Sequence, residues 1–109
     1  MSRKSILTVY TDNSIISGVP RECTHELIFG SGIRELAIED GLTIPLSNEE
    51  HNTATKPEDR IHGNPRAEDL SKIAGQLAWE KEYYRSVIHA DGDDPARGAF
   101  RRRYGISFL

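Results

Sequence analysis

The stretch ELIFGSGIRELAIEDGLTIPL, residues 26–46, decides the fold because strand and helix signals alternate within it. Residues 26–29 (ELIF) predict a short strand, and the glycines of residues 30–32 predict the turn that ends it. Residues 33–39 carry apolar side chains at helical spacing and precede a glycine, which predicts a short helix. Residues 42–46 (LTIPL) predict a second strand, so the stretch indicates a strand-helix-strand unit.

Further elements are predicted on both sides of this unit. Upstream, the apolar residues 14–19 (SIISGV) favour another strand. Downstream, residues 67–86 predict the longest helix, and residues 95–104 predict a final helix after a break at residues 90–94. The long helix is expected to bury a stripe formed by Leu70, Ile73, Ala74, Leu77 and Ala78. We therefore expect an α+β fold in one domain, residues 1–109, because a chain of this length supports a single core.

Composition narrows the class of protein. Hydrophobic content of 37% and charged content of 28% are typical of a soluble globular domain, and no apolar run is long enough to cross a bilayer. The N-terminus has no secretory pattern, which predicts the cytoplasm. A net charge of -3 argues against coating nucleic acid, so any DNA contact must be local. The lone Cys23 cannot build a disulfide within the chain or a thiolate zinc cage.

The last helix carries a cluster of arginines, and the long helix carries aromatic residues. The arginines are either a solvated helix face or a local patch for the DNA backbone. The aromatic side chains Trp79, Tyr83 and Tyr84 are interpreted as packing groups, because they lie on a predicted amphipathic helix. The arginines are Arg97, Arg101, Arg102 and Arg103.

Three of the four histidines lie beside predicted turns. His25 is next to the first strand, His51 follows the second strand, and His62 precedes the long helix. If the strands pack on that helix, the three imidazoles can converge and bind a divalent metal that leaves room for water and phosphate. The polar residues 48–65 between them are either an ordered functional loop or a flexible one. His89 is expected to be an exposed loop residue.

The order and spacing of several short motifs resemble one family. The chain is similar to the phage-encoded HNH-like nucleases related to the Ref (recombination enhancement function) nuclease over most of its length. The resemblance implies a small HNH-type metal-binding fold, a hairpin plus a helix, here with an additional C-terminal helix. The motifs are CTHELIFG at 23–30, Arg34, EDGL at 39–42, EHN at 50–52, IHGN at 61–64, RYG at 103–105 and FL at 108–109.

The resemblance also implies residue roles. His25 would be a metal ligand or the general base, and Glu26 would take the other role or a supporting one. His51 would be a ligand, and His62 a further ligand or a phosphate-binding group. Asn64 would orient a loop or cap the helix.

Glu50 and Asn52 complete the implied supporting set. Glu50 stands where relatives often have histidine, and a carboxylate ligand shifts preference from zinc toward magnesium or manganese. Mg or Mn is therefore the expected cofactor, with Zn as the alternative. The arginines at residues 101–103 would contact the DNA backbone. Arg34 would either bind phosphate or form an ion pair with Glu39 or Asp40.

Two functions follow from these observations. The first is a metal-dependent DNA endonuclease that hydrolyses phosphodiester bonds in phage recombination or DNA processing. The second is a catalytically degenerate module of the same fold that binds DNA or a phage protein without cutting. The second is kept because the chain has a net negative charge and lacks cysteines and a histidine that many relatives carry. Serines stand at the cysteine positions within residues 14–18 and at residue 47, and Glu50 stands at the histidine position.

Overall fold

The chain forms a small α+β domain, as expected, in which a two-stranded antiparallel sheet packs with several helices. The computed structural model describes residues 3–86 and 95–109, so the predicted break at 90–94 and His89 lie outside the described residues. No helix within that part of the chain is long and apolar enough to cross a membrane. The elements are β1 (Cys23–Glu26), α1 (Arg34–Glu39), β2 (Thr43–Leu46), a π-helical turn (Glu49–Thr53), a 3-10 turn (Pro57–Asp59), α2 (Pro65–Ser86) and α3 (Pro95–Tyr104).

The sheet is a hairpin whose two strands are joined through α1. His25 pairs with Ile44, and Cys23 pairs with Leu46. The first strand starts and ends earlier than predicted, because the chain bends at residues 27 and 28. Leu27 and Ile28 are nevertheless buried. Their apolar side chains therefore indicate a place in the core and not a place in a strand.

Gly41 makes the turn between α1 and β2 possible. Its φ of 72° lies in the left-handed region that glycine adopts most readily. A Cβ at this position would lie 2.4 Å from the backbone oxygen of Lys4, so the N-terminal segment passes directly against the glycine. The prediction that a glycine ends this helix is confirmed. Because glycine has no side chain, it also leaves room for the N-terminal segment beside the hairpin.

Residues 14–19 are a turn, and the predicted strand there is wrong. The N–H of Ser14 donates to the carbonyl of Val19, and the N–H of Gly18 donates back to the carbonyl of Ser14. The hydroxyl of Ser14 also accepts the N–H of Ile16 and thereby closes a local serine turn. These local bonds outweigh the strand preference of the isoleucines, which remain exposed.

Helix α2 forms as expected, but its predicted apolar stripe is not the buried face. Leu70 and Leu77 are 66% and 52% exposed, respectively. A Cβ at Gly75 would lie 2.8 Å from Cγ1 of Ile28, so the helix approaches the core through a glycine rather than through leucines. The buried face is small and polar and consists of Ser71, Gly75, Gln76 and Glu80.

Helix α3 completes the core and ends at Gly105, as predicted. Asp40, at the end of α1, accepts hydrogen bonds from Trp79 Nε1 at 2.9 Å and from the hydroxyl of Tyr104 at 2.8 Å. Trp79 stacks on Tyr83, which agrees with the packing role expected for the aromatic residues. The buried hydrophobic cluster comprises Leu27, Ile28, Ala37, Leu42, Ile44, Leu46, Phe100 and Tyr104.

Candidate metal centre

Three histidines from separate segments meet at one point. His25 comes from β1, His51 from the π-helical turn after β2, and His62 from the residues just before α2. Their ring centroids are 4.7 to 5.2 Å apart. One ligand nitrogen of each residue lies within 4.8 Å of the others, so the three imidazoles could hold a metal ion. The structure thus gathers the three histidines as the sequence predicted.

The tautomer of His25 follows from its hydrogen bonds. Its Nε2 lies 2.8 Å from the hydroxyl oxygen of Ser71, which itself donates to the carbonyl of Leu27 at 2.7 Å. Because a carbonyl can only accept, the single hydroxyl proton of Ser71 is already used. Nε2 of His25 must therefore carry the proton and donate it to Ser71. Nδ1 is left with the lone pair that a metal requires.

His62 has an equivalent partner at the start of α2. Its Nδ1 lies 3.4 Å from a carboxylate oxygen of Glu68. An ionised carboxylate only accepts, so this long contact favours the tautomer with the proton on Nδ1 and the lone pair on Nε2. Histidine ligands in metalloproteins are commonly oriented in this way by a carboxylate on the far ring nitrogen.

Residues 48–65 form a π-helical turn and a 3-10 turn that are held by local hydrogen bonds. The N–H of His62 donates to the carbonyl of His51 at 3.0 Å. The guanidinium of Arg60 donates to the carbonyl of His62 at 2.8 Å and to that of Ala54 at 2.6 Å. These contacts tie the segments of His51 and His62 to each other through their backbones.

Burial keeps two of the imidazoles, those of His25 and His51, in the neutral form that binds metals. The pKa of His25 is lowered to about 3 by burial, with further contributions from His51, His62 and Arg34. The pKa of His51 is also lowered, mainly by burial. Neutral imidazole is the state that can coordinate a metal, so these residues are ready as ligands at neutral pH.

An open cavity of about 540 Å³ lies next to the cluster. Glu26 and Arg34 line it together with the three histidines, and so does Asn52. The guanidinium of Arg34 pairs with the carboxylate of Glu26, whereas the sequence had offered Glu39 or Asp40 as its partner. The cavity therefore presents a carboxylate and a guanidinium beside the candidate ligands.

Glu50 is not part of the cluster. Its carboxylate accepts the hydroxyl of Ser14 at 2.6 Å and the backbone N–H of Ser47 at 2.8 Å. Burial opposes its ionisation, but hydrogen bonds from Ser14, Ser17 and Ser47 outweigh that effect and lower its pKa to about 2. Glu50 thus connects the N-terminal segment to the turn that contains His51.

The remaining predicted site residues have other positions. Asn64 accepts the N–H of Ala67 at 3.3 Å and so caps α2, which is one of its two expected roles. Arg103 is bound to Asp40 and Glu39 at the end of α1. Arg101 and Arg102 are exposed on α3 and do not line the cavity beside the histidines.

Sequence reasoning missed Ser71 and Glu68, the two residues that orient His25 and His62. Glu68 lies in the first turn of the helix that follows His62, so its nearness in the chain offered a signal. Ser71 offered none, because it is far from His25 in the chain and meets it only in the folded protein.

Comparison with known proteins gives no match: no family model, no curated protein and no solved structure is similar to this chain.

Proposed function

We propose that the protein is a metal-dependent DNA endonuclease of the HNH type, which hydrolyses phosphodiester bonds at the three-histidine centre. The observation that carries this proposal is the convergence of His25, His51 and His62 beside an open cavity. One candidate ligand lies in the strand pair, one in the turn after it and one just before the long helix, an order in keeping with the hairpin-plus-helix fold that the motifs imply. Phage recombination or DNA processing is the role that the same resemblance suggests.

The ligand set favours zinc or another metal that prefers nitrogen. The preference for magnesium or manganese depended on Glu50, whose carboxylate is bound to Ser14 and Ser47 instead. Three imidazoles suit Zn, Ni and Cu, whereas Mg prefers oxygen ligands. Zinc is therefore the cofactor we propose to test first.

The side chains around the centre fit hydrolysis of a phosphodiester. A bound ion would supply Lewis-acid stabilisation of negative charge on the phosphate. The carboxylate of Glu26 faces the same cavity and is placed to accept a proton from the attacking water. Arg34 keeps N–H donors beyond the one bound to Glu26, so its guanidinium can also bind a phosphate oxygen. Under this assignment His25 is a ligand rather than the base.

The test combines metal binding with cleavage of DNA. Zinc affinity is measured by competition with a chelator, and cutting is followed on supercoiled plasmid and on circular single-stranded DNA with Zn, Ni, Mn or Mg. We expect His51→Ala to lose about 100-fold or more in zinc affinity, and all detectable cutting, because one of three ligands is removed. His89→Ala is the matched control, since His89 is the histidine outside the proposed set.

Two results would overturn the nuclease proposal. The first is a folded, metal-loaded protein that cuts neither DNA with any of the four metals. The second is cutting by His51→Ala at the rate of the unaltered protein.

A module that binds DNA without cutting is the second candidate. It is favoured by the ion pair between Glu26 and Arg34, which engages the candidate base and the candidate phosphate ligand with each other. Salt-dependent DNA binding by the metal-loaded protein, with no cutting of either DNA, would support it.

A further inference from the structure

A second cavity lies on the other face of the hairpin. It has a volume of about 670 Å³ and is open to solvent. Its walls are the outer side of β1 and β2 and the N-terminal segment that passes over them. Lys4, Val9, Arg21, Thr24 and Pro45 are among the residues that line it, and so is Glu26.

The cavity has an excess of positive charge. Lys4 and Arg21 are exposed in its lining, and neither has an ion pair within residues 3–86 and 95–109. The one carboxylate in the lining, Glu26, is neutralised by Arg34. A third cation, Arg3, is paired with Glu82. Two cations therefore remain to attract a negatively charged ligand, although the whole chain is acidic.

The other lining groups suit a nucleotide. Thr24 offers a hydroxyl, while Val9 and Pro45 offer apolar surface, and Val9 is 85% exposed. A nucleotide needs cations and donors for its phosphate and apolar contact for its sugar and base. The volume falls within the ~300–1,000 Å³ typical of small-ligand pockets, so a nucleotide unit fits.

The two cavities meet at one residue. Glu26 lines this cavity and also lines the cavity beside the three histidines. A polynucleotide held on the outer face of the hairpin would therefore run past Glu26 toward the candidate metal centre.

We propose that this second cavity binds one or two nucleotides of single-stranded DNA next to the phosphodiester that is cut. The choice of DNA as the ligand rests on the proposed function, whereas the site itself rests on the cavity and its unpaired cations. Lys4 and Arg21 contact the phosphates, and the apolar wall contacts the sugar and base.

Binding is tested in the presence of a chelator, so that cutting cannot occur. A short fluorescent oligothymidylate is titrated with protein at several salt concentrations, and its anisotropy is measured. The double variant Lys4→Ala/Arg21→Ala should bind about tenfold more weakly, and its salt slope should fall by about 1.4, or 0.7 for each phosphate contact. Lys56→Ala/Lys81→Ala is the matched control, because it removes the same charge at exposed residues outside both cavities.

A duplex of the same length should bind more weakly than the single strand, and mononucleotide should compete at high concentration. The proposal is overturned if the double variant binds like the control, or if duplex and single strand bind equally well. Its failure is distinct from that of the nuclease proposal. Binding that depends on Lys4 and Arg21, without any metal-dependent cutting, would leave the cavity assignment standing and remove only the nuclease.

Discussion

Replacing Ser71 with alanine tests the link between the helix and the candidate metal centre. Ser71 accepts the Nε2 proton of His25 and donates to the carbonyl of Leu27. His25 is 1% exposed, so water cannot replace the lost partner at the ring. Leaving a buried polar group unsatisfied costs about 1–3 kcal/mol, and the variant leaves two. We expect Ser71→Ala to lower the free energy of unfolding of the metal-free protein by about 2–4 kcal/mol, allowing for partial relaxation.

The same substitution should weaken zinc binding by about 10- to 100-fold, because the ring of His25 is no longer held in the tautomer that exposes Nδ1. Urea denaturation measures the stability, chelator competition measures the affinity, and the ring nitrogen chemical shifts of His25 report the tautomer. Ser71→Thr keeps the hydroxyl and is the control: it should retain zinc affinity even if the added methyl group reduces stability. A folded Ser71→Ala protein that binds zinc like the unaltered chain would refute the tautomer argument.

Two further predictions concern stability. Gly75→Ala places a methyl group 2.8 Å from Cγ1 of Ile28. Overpacking should cost about 1–3 kcal/mol, which outweighs a gain in helix propensity of about 1 kcal/mol. Urea denaturation should therefore show a net loss of stability of up to about 2 kcal/mol, and a gain in stability would contradict the close approach of helix and core. Acid should destabilise the metal-free protein, because burial lowers the pKa of His25 to about 3 in the folded protein, whereas the ordinary value of 6.5 applies to the unfolded chain. Between these two values the unfolded chain binds a proton that the folded protein does not. The contribution of His25 to stability is therefore complete above pH 6.5 and is lost as the pH falls toward 3. Between about pH 7.5 and about pH 5 the loss from this residue is about 2 kcal/mol, and equal urea midpoints at the two pH values would argue against a buried neutral imidazole.

Most of the elements could be predicted because their signals are local. The helix before Gly41, the strand after it and the last helix before Gly105 all end or begin where a glycine allows the chain to turn. The prediction failed at residues 14–19 because the hydroxyl of Ser14 bonds to its own neighbours, a contact that strand propensity does not include. It failed on the face of α2 because Gly75 brings the helix against Ile28 and leaves the leucines outside.

The site residues also include some that the sequence could predict and some that it could not. The three histidines could be predicted because each lies at the end of a predicted element, and such ends gather when the elements pack. Glu50 was assigned to the site because it precedes His51, yet its carboxylate binds the serines of another segment. Ser71 could not be found, since its hydroxyl meets His25 only through the packing of α2 on the hairpin.

The backbone bonds between His51 and His62, and the guanidinium of Arg60 that spans their loop, have a consequence for how metal would be taken up. These bonds join the segments of His51 and His62 through protein atoms alone. Zinc fingers, by contrast, fold only when metal binds. If the proposed metal binds, we expect a chelator to leave the fold of the domain intact, because these bonds do not pass through the ion.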